Sequence, residues 1–145
     1  KGAGVIAATS PITPWNRNLA LAARTFEEGG LSGGTLGTSV RNANRIFEGE
    51  HPLDVLKGDK VRNFFLCISD PTGQVDAVCV DRHAFSVASG KYVDDAGRAV
   101  LGRKGAYDKV ADAYREVARE ARVTAHAVQA TTWLTFRRVE RNIVD

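Results

Sequence analysis

Apolar residues recur every three to four positions along most of this chain, the period of an amphipathic helix. Trp15, Leu19, Ala22, Ala23 and Phe26 share one helical face, which predicts a helix from Trp15 to Glu28. Thr13 reads as its N-cap, with Pro14 at the first helical position. Before it, the apolar residues 3–10 read as the end of a buried helix, cut off by Pro11 and Pro14. Gly29-Gly30 close the helix, and the Ser/Gly-rich stretch to Gly37 is a loop. A helix opening at Thr38 or Ser39 carries Val40, Ala43, Ile46 and Phe47 on its apolar face and stops at Gly49. Pro52 to Leu56 form a short helical turn that leads into Gly58, and Val61, Phe64, Phe65 and Ile68 give the next stripe.

In the second half, Val75 to Val80 is short and β-branched, a strand on propensity alone. No partner strand is evident, so the run is expected to be an extended entry to a helix starting near Asp81. That helix runs through Ala84, Phe85 and Val87 to Ser89 or Gly90. Residues 90–105, rich in Gly, Lys and Arg, read as a solvated basic loop. Tyr107 to Arg122 is predicted helical with Val110, Ala113, Tyr114 and Val117 on one face. Thr124 caps a last helix carrying Val128, Thr131, Thr132, Leu134 and Thr135 around Trp133, and Arg137 to Arg141 form a basic tail. There is no internal repeat and no heptad array. The expectation is an all-α, single-domain protein spanning residues 1–145, built from about seven or eight short helices.

Composition narrows the chemistry. A chain of 145 residues is long enough for a real core. A net charge of +3 permits a nucleic-acid partner without requiring one. The two cysteines, Cys67 and Cys79, each lie in an apolar run and read as reduced core residues. Without a CxxC pair or a Cys/His cluster, neither zinc nor an iron–sulfur cluster is expected, and no cofactor is assigned. No apolar run approaches the ~18 residues of a membrane span, and no signal peptide is visible. An intracellular monomer with no membrane partner is therefore expected. The sequence contains no Met, so the chain is expected to lack its initiating residue.

The stretch from Leu56 to Ala88 concentrates the candidate chemistry. Lys57-Gly58-Asp59-Lys60 forms a tight turn at the start of a helix, where backbone amides suit a phosphate. An ordinary helix–helix connection is the plainer reading. Asp81 ends the apolar run Ala77–Val80, where a carboxylate either caps the next helix or faces a substrate. Both readings stand on residue type alone. His83 reads as a structural hydrogen-bonding residue, Trp15 and Trp133 as core residues, and His51 and His126 as surface or capping residues.

The order of these pieces resembles the helix-hairpin-helix DNA glycosylase superfamily, which includes endonuclease III and the adenine and 8-oxoguanine glycosylases. IAATSPITPWNRNLALA, from Ile6 to Ala22, is similar to that family's first core helix and the polar turn after it. LKGDKV, from Leu56 to Val61, resembles a shortened form of its hairpin, L-P-G-(V/I)-G-x-K. AVCVDRHAF, from Ala77 to Phe85, resembles its V-D-T-H-(V/I)-x-R segment, whose aspartate is catalytic. QATTWLTFRR, from Gln129 to Arg138, is similar to its closing helix. The hairpin lacks the second glycine, the iron–sulfur cysteines of some members are absent, and the chain is shorter than a typical member. The resemblance implies a multi-helix bundle of glycosylase type with a hairpin element at about 53–69, in a compact relative of the kind a phage or mobile element encodes.

It also implies a site. Asp81 would stabilise positive charge on the sugar as an N-glycosidic bond breaks. The family's Schiff-base lysine falls on Lys60 with a one-residue gap, or on Arg62 without it, and Lys60 is preferred. Lys57, Gly58, Lys60 and Arg62 would grip DNA. Thr13, Trp15, Asn16, Asn18 and His83 would line a pocket for a flipped base. The expectation is a DNA-directed base-excision enzyme. The alternatives are a DNA base-modification enzyme on the same fold, and a DNA- or protein-binding module that has lost the chemistry.

Overall fold

The computed structural model describes the backbone of residues 1–144 and the side chains of residues 1–140. Eight α-helices and one 3₁₀ turn follow one another, with no strand among the described residues. The helices are α1 Gly2–Thr9, α2 Trp15–Glu27, α3 Gly37–Glu48, α4 Pro52–Val55, α5 Asp59–Ser69, α6 Arg82–Ser89, α7 Ala106–Ala121 and α8 Ala125–Val144. The 3₁₀ turn is Gly97–Gly102. The all-helical expectation holds. Val75–Val80 forms no strand, as the lack of a partner required. The chain divides into two compact units, Lys1–Ser69 and Asp70–Asp145.

In the first unit α1 packs against α2, α3 and α5. It is apolar all round, as a central helix must be, and Val5, Ala7 and Ala8 join Leu21, Leu31, Ile46, Val55 and Leu56 in the core. Gly4 allows this approach, because a Cβ there would fall 2.6 Å from Pro52 Cγ and 2.9 Å from Ile46 Cγ2. His51 caps α4, its Nδ1 accepting from the Leu53 amide at 3.2 Å. Gly58 takes φ +84° between α4 and α5, a conformation that suits glycine.

The α2 expectations need two corrections. Helix α2 begins at Trp15 with Pro14 in the cap position, and the Thr13 hydroxyl donates to Pro11 O instead of accepting from the helix. The buried face carries Asn18, Leu21, Ala22 and Thr25, leaving Trp15 54% and Phe26 45% exposed. Burial of the polar pair is cheap because each is satisfied internally. Thr25 donates to Leu21 O, while Asn18 donates to Ile6 O and accepts from Thr9.

In the second unit α8 packs against α6 and α7, and α6 against α7. Its core is Val78, Val80, Ala84, Tyr107, Ala111, Tyr114, Ala118 and Ala125. The face of α7 is therefore rotated from the expected one, and Ala113 and Val117 are exposed. The two tyrosines decide this rotation, since their hydroxyls both reach backbone partners in the interior. Thr124 caps α8 through the Ala127 amide, as expected. Thr131, Leu134 and Thr135 are exposed on α8 rather than packed. Residues 137–140, expected as a tail, continue the helix, and the Arg141 side chain lies outside the described residues.

Candidate functional site

Asp81 is the N-cap of α6, with extended backbone (φ −108°, ψ −172°). Buried Val78 and Val80 anchor the segment that delivers it. Tyr107 on α7 holds that segment, its hydroxyl donating to Val78 O at 2.7 Å and accepting from Val80 N at 2.9 Å. Two turns further along α7, Tyr114 donates to Ala84 O at 2.8 Å. The position of Asp81 is thus set by α7 as well as by its own helix.

Both carboxylate oxygens of Asp81 are engaged. Oδ1 accepts from the Ala84 amide at 2.8 Å, an ordinary cap bond. Oδ2 accepts from the indole Nε1–H of Trp133 at 3.0 Å. The cap and the substrate-facing carboxylate are therefore not exclusive readings, because each carboxylate oxygen has room for a second donor.

Beside Asp81 lies a group of charges from α6 and α8. Glu140 Oε1 is 3.4 Å from Arg82 Nη2, and its Oε2 is 3.5 Å from His83 Nδ1 and 3.7 Å from Arg137 Nη1. His83 Nε2 lies 3.3 Å from Arg82 Nη2 and 3.2 Å from Arg137 Nη1. A guanidinium only donates, so Nε2 accepts and the ring proton belongs on Nδ1, facing Glu140 without hydrogen-bond alignment. The His83 pKa is lowered from 6.5, mainly by burial. Asp81 raises it, Arg82 lowers it, Glu140 raises it and Arg137 lowers it. Burial and the two arginines keep the ring neutral against the two carboxylates.

The other expected site residues are distributed as follows. Thr13, Trp15, Asn16, Asn18, Lys57, Gly58, Lys60 and Arg62 belong to the first unit, and Asp81 and His83 to the second. Asn18 is corrected: it is 1% exposed and bonded to Thr9 and Ile6, so it lines no open pocket. Arg62 Nη1 donates to Leu53 O and Leu56 O and closes the end of α4. Lys57 donates to Asp54 O at 2.7 Å and keeps further donors on its exposed ammonium. Lys60, Trp15 and Asn16 are exposed. Sequence reasoning missed Trp133 as a partner of Asp81. An indole 52 positions away leaves no local signal. It also missed Glu140, which read as part of a basic tail.

An apolar groove of about 820 Å³ opens elsewhere on the second unit, lined by Val87, Tyr92, Phe136 and Val139 among others. Glu140 is among its lining residues, and Asp81 does not line it. No group of three or more His, Cys, Asp or Glu side chains is placed to hold a metal among the described residues. No helix among them is long and apolar enough to cross a membrane.

Comparison with known families matches residues 1–140 to a family of unknown function (DUF7178). The chain belongs to that family. No curated protein and no solved structure matches it. The DUF7178 match covers both compact units, so the Asp81 cluster and the Gly58 turn fall within one family unit of sequence.

Proposed function

We propose that this DUF7178 chain acts on DNA as a base-excision-type enzyme, with Asp81 as the carboxylate that stabilises the sugar's developing positive charge. The observation that supports this is the immobilised Asp81 carboxylate, held at both oxygens by Ala84 and Trp133. A fixed anion with remaining lone pairs serves an oxocarbenium-like transition state without reorganising. The amides at the start of α5, beside Gly58, and the exposed Lys57 and Lys60 supply sequence-independent grip on phosphates.

A second reading, a binding module without chemistry, is favoured by one observation: Asp81 lines no part of the described groove, and its cap bond alone accounts for an aspartate at that position. One experiment separates the two. Binding of duplex DNA with an abasic-site analogue is compared with undamaged duplex across a salt series, for the wild type, Asp81→Asn and Lys57→Ala/Lys60→Ala. Base release is then measured on duplexes carrying uracil, 8-oxoguanine or 3-methyladenine. The enzyme reading expects preference for the analogue, a shallower salt dependence in the lysine variant, and base release that Asp81→Asn abolishes while still binding. Equal, salt-sensitive binding to both duplexes with no base release leaves the binding module. Absence of binding at low salt removes DNA as the partner.

A further inference from the structure

A capping aspartate needs only one oxygen, and Asp81 uses Oδ1 for this, on the Ala84 amide. The bond from Trp133 Nε1–H to Oδ2 adds nothing that capping requires. What it adds is orientation. With one donor the carboxylate turns about its last torsion, a broad and soft one. With a second donor from α8, any such turn breaks one bond or the other.

The indole is itself held. His83 meets it edge-on, with ring centroids 6.0 Å apart and planes at 84°. Arg137 places its guanidinium 5.8 Å from the ring centroid on α8. His83 and Arg137 both approach Glu140. The donor that points at Asp81 is thus braced from α6 and from its own helix, and the ring cannot follow the carboxylate if it rotates.

We propose that Trp133 is a positioning residue for the reaction assigned to Asp81. Its N–H fixes the plane of the carboxylate, so that the unused lone pairs of both oxygens keep one direction through the reaction. The proposal rests on the reading of Asp81 as the catalytic carboxylate. Misdirection of a reacting group by about 1 Å costs on the order of 100-fold in rate, and this sets the scale of the effect.

The test uses the full chain and two changes that remove the N–H. Trp133→Phe keeps an aromatic ring. Replacement of the Trp133 indole by its benzothiophene isostere puts sulfur where the N–H was and keeps the volume, so it reports even if Trp133→Phe does not fold. Single-turnover base release from the uracil, 8-oxoguanine and 3-methyladenine duplexes is expected to fall about 100-fold in both, with the duplex Kd unchanged. In the proton–nitrogen spectrum, Asp81→Asn is expected to move the Trp133 indole resonance and leave that of Trp15 in place. Unchanged release in the isostere overturns the proposal, as does an indole resonance indifferent to Asp81→Asn. If the wild type releases no base, the catalytic reading falls and the positioning role falls with it. The indole resonance then tells a wrong function from a wrong contact.

Discussion

The hydroxyl of Tyr107 accepts the backbone N–H of Val80 at 2.9 Å, one residue before Asp81. The same oxygen donates to Val78 O at 2.7 Å, so one side chain ties down both sides of an extended segment that has no strand partner. Buried backbone in a non-regular segment needs such partners. Tyr107→Phe leaves the Val80 N–H and the Val78 C=O without theirs, in a site that is almost closed to solvent. A loss of about 1–3 kcal/mol is expected, read as a lower urea midpoint with an unchanged slope. A variant as stable as the wild type would mean that water or a shifted backbone takes the place of the hydroxyl.

His83 makes stability depend on pH. Its pKa lies below the ordinary value of 6.5 in the fold, chiefly through burial. The unfolded chain therefore binds this proton first as the pH falls, and between the two values the unfolded state carries more protons. Stability from this group is complete above about pH 6.5 and declines as the pH drops through that value toward the folded one. His83→Gln should flatten the change in urea midpoint between pH 7.5 and pH 5. The same slope in both proteins would assign the dependence to other groups.

Two glycines separate backbone conformation from crowding. At Gly58, φ +84°, a Cβ would meet nothing within 4 Å, so Gly58→Ala costs only the left-handed backbone, about 1–2 kcal/mol. At Gly73, φ +74°, a Cβ would fall 2.9 Å from Thr124 Cβ, adding a collision to the same strain. Gly73→Ala is expected to be the more destabilising of the pair in parallel thermal melts. The reverse order would show that Thr124 moves aside freely.

On α2 Asn18 is buried and Trp15 exposed, the reverse of the expectation, and stability will follow. Asn18→Ala removes the partner of Ile6 O and of the Thr9 hydroxyl in a site 1% exposed, at a cost of about 1–3 kcal/mol. Trp15→Ala, at a side chain 54% exposed, is expected to cost less despite the larger truncation. Denaturation of the two variants side by side decides it, and a greater loss in Trp15→Ala would restore the tryptophan to the core.

Much of the helical framework was legible in the sequence, because glycines, prolines and capping residues act within a few positions. Gly49 ends α3 in a left-handed conformation, His51 and Thr124 cap α4 and α8, and the extended run before Asp81 leads into α6, as the lack of a partner strand implied. Which side of a helix faces the core was less legible. Asn18 on α2 and Tyr107 on α7 are buried because hydrogen-bond partners elsewhere in the fold satisfy them, and Thr25 because Leu21 O in its own helix does; a count of apolar positions does not register those partners.

The same division runs through the candidate site. That Asp81 starts a helix, and that it is followed by Arg82 and His83, came from the sequence alone, since a cap is a bond between near neighbours. That its other oxygen meets Trp133, and that Glu140 gathers Arg82, His83 and Arg137, was decided by the packing of α6 on α8. Contacts between residues more than 50 positions apart depend on the rotation and register of two helices. Those are fixed by the core between them, not by any run of residues along the chain.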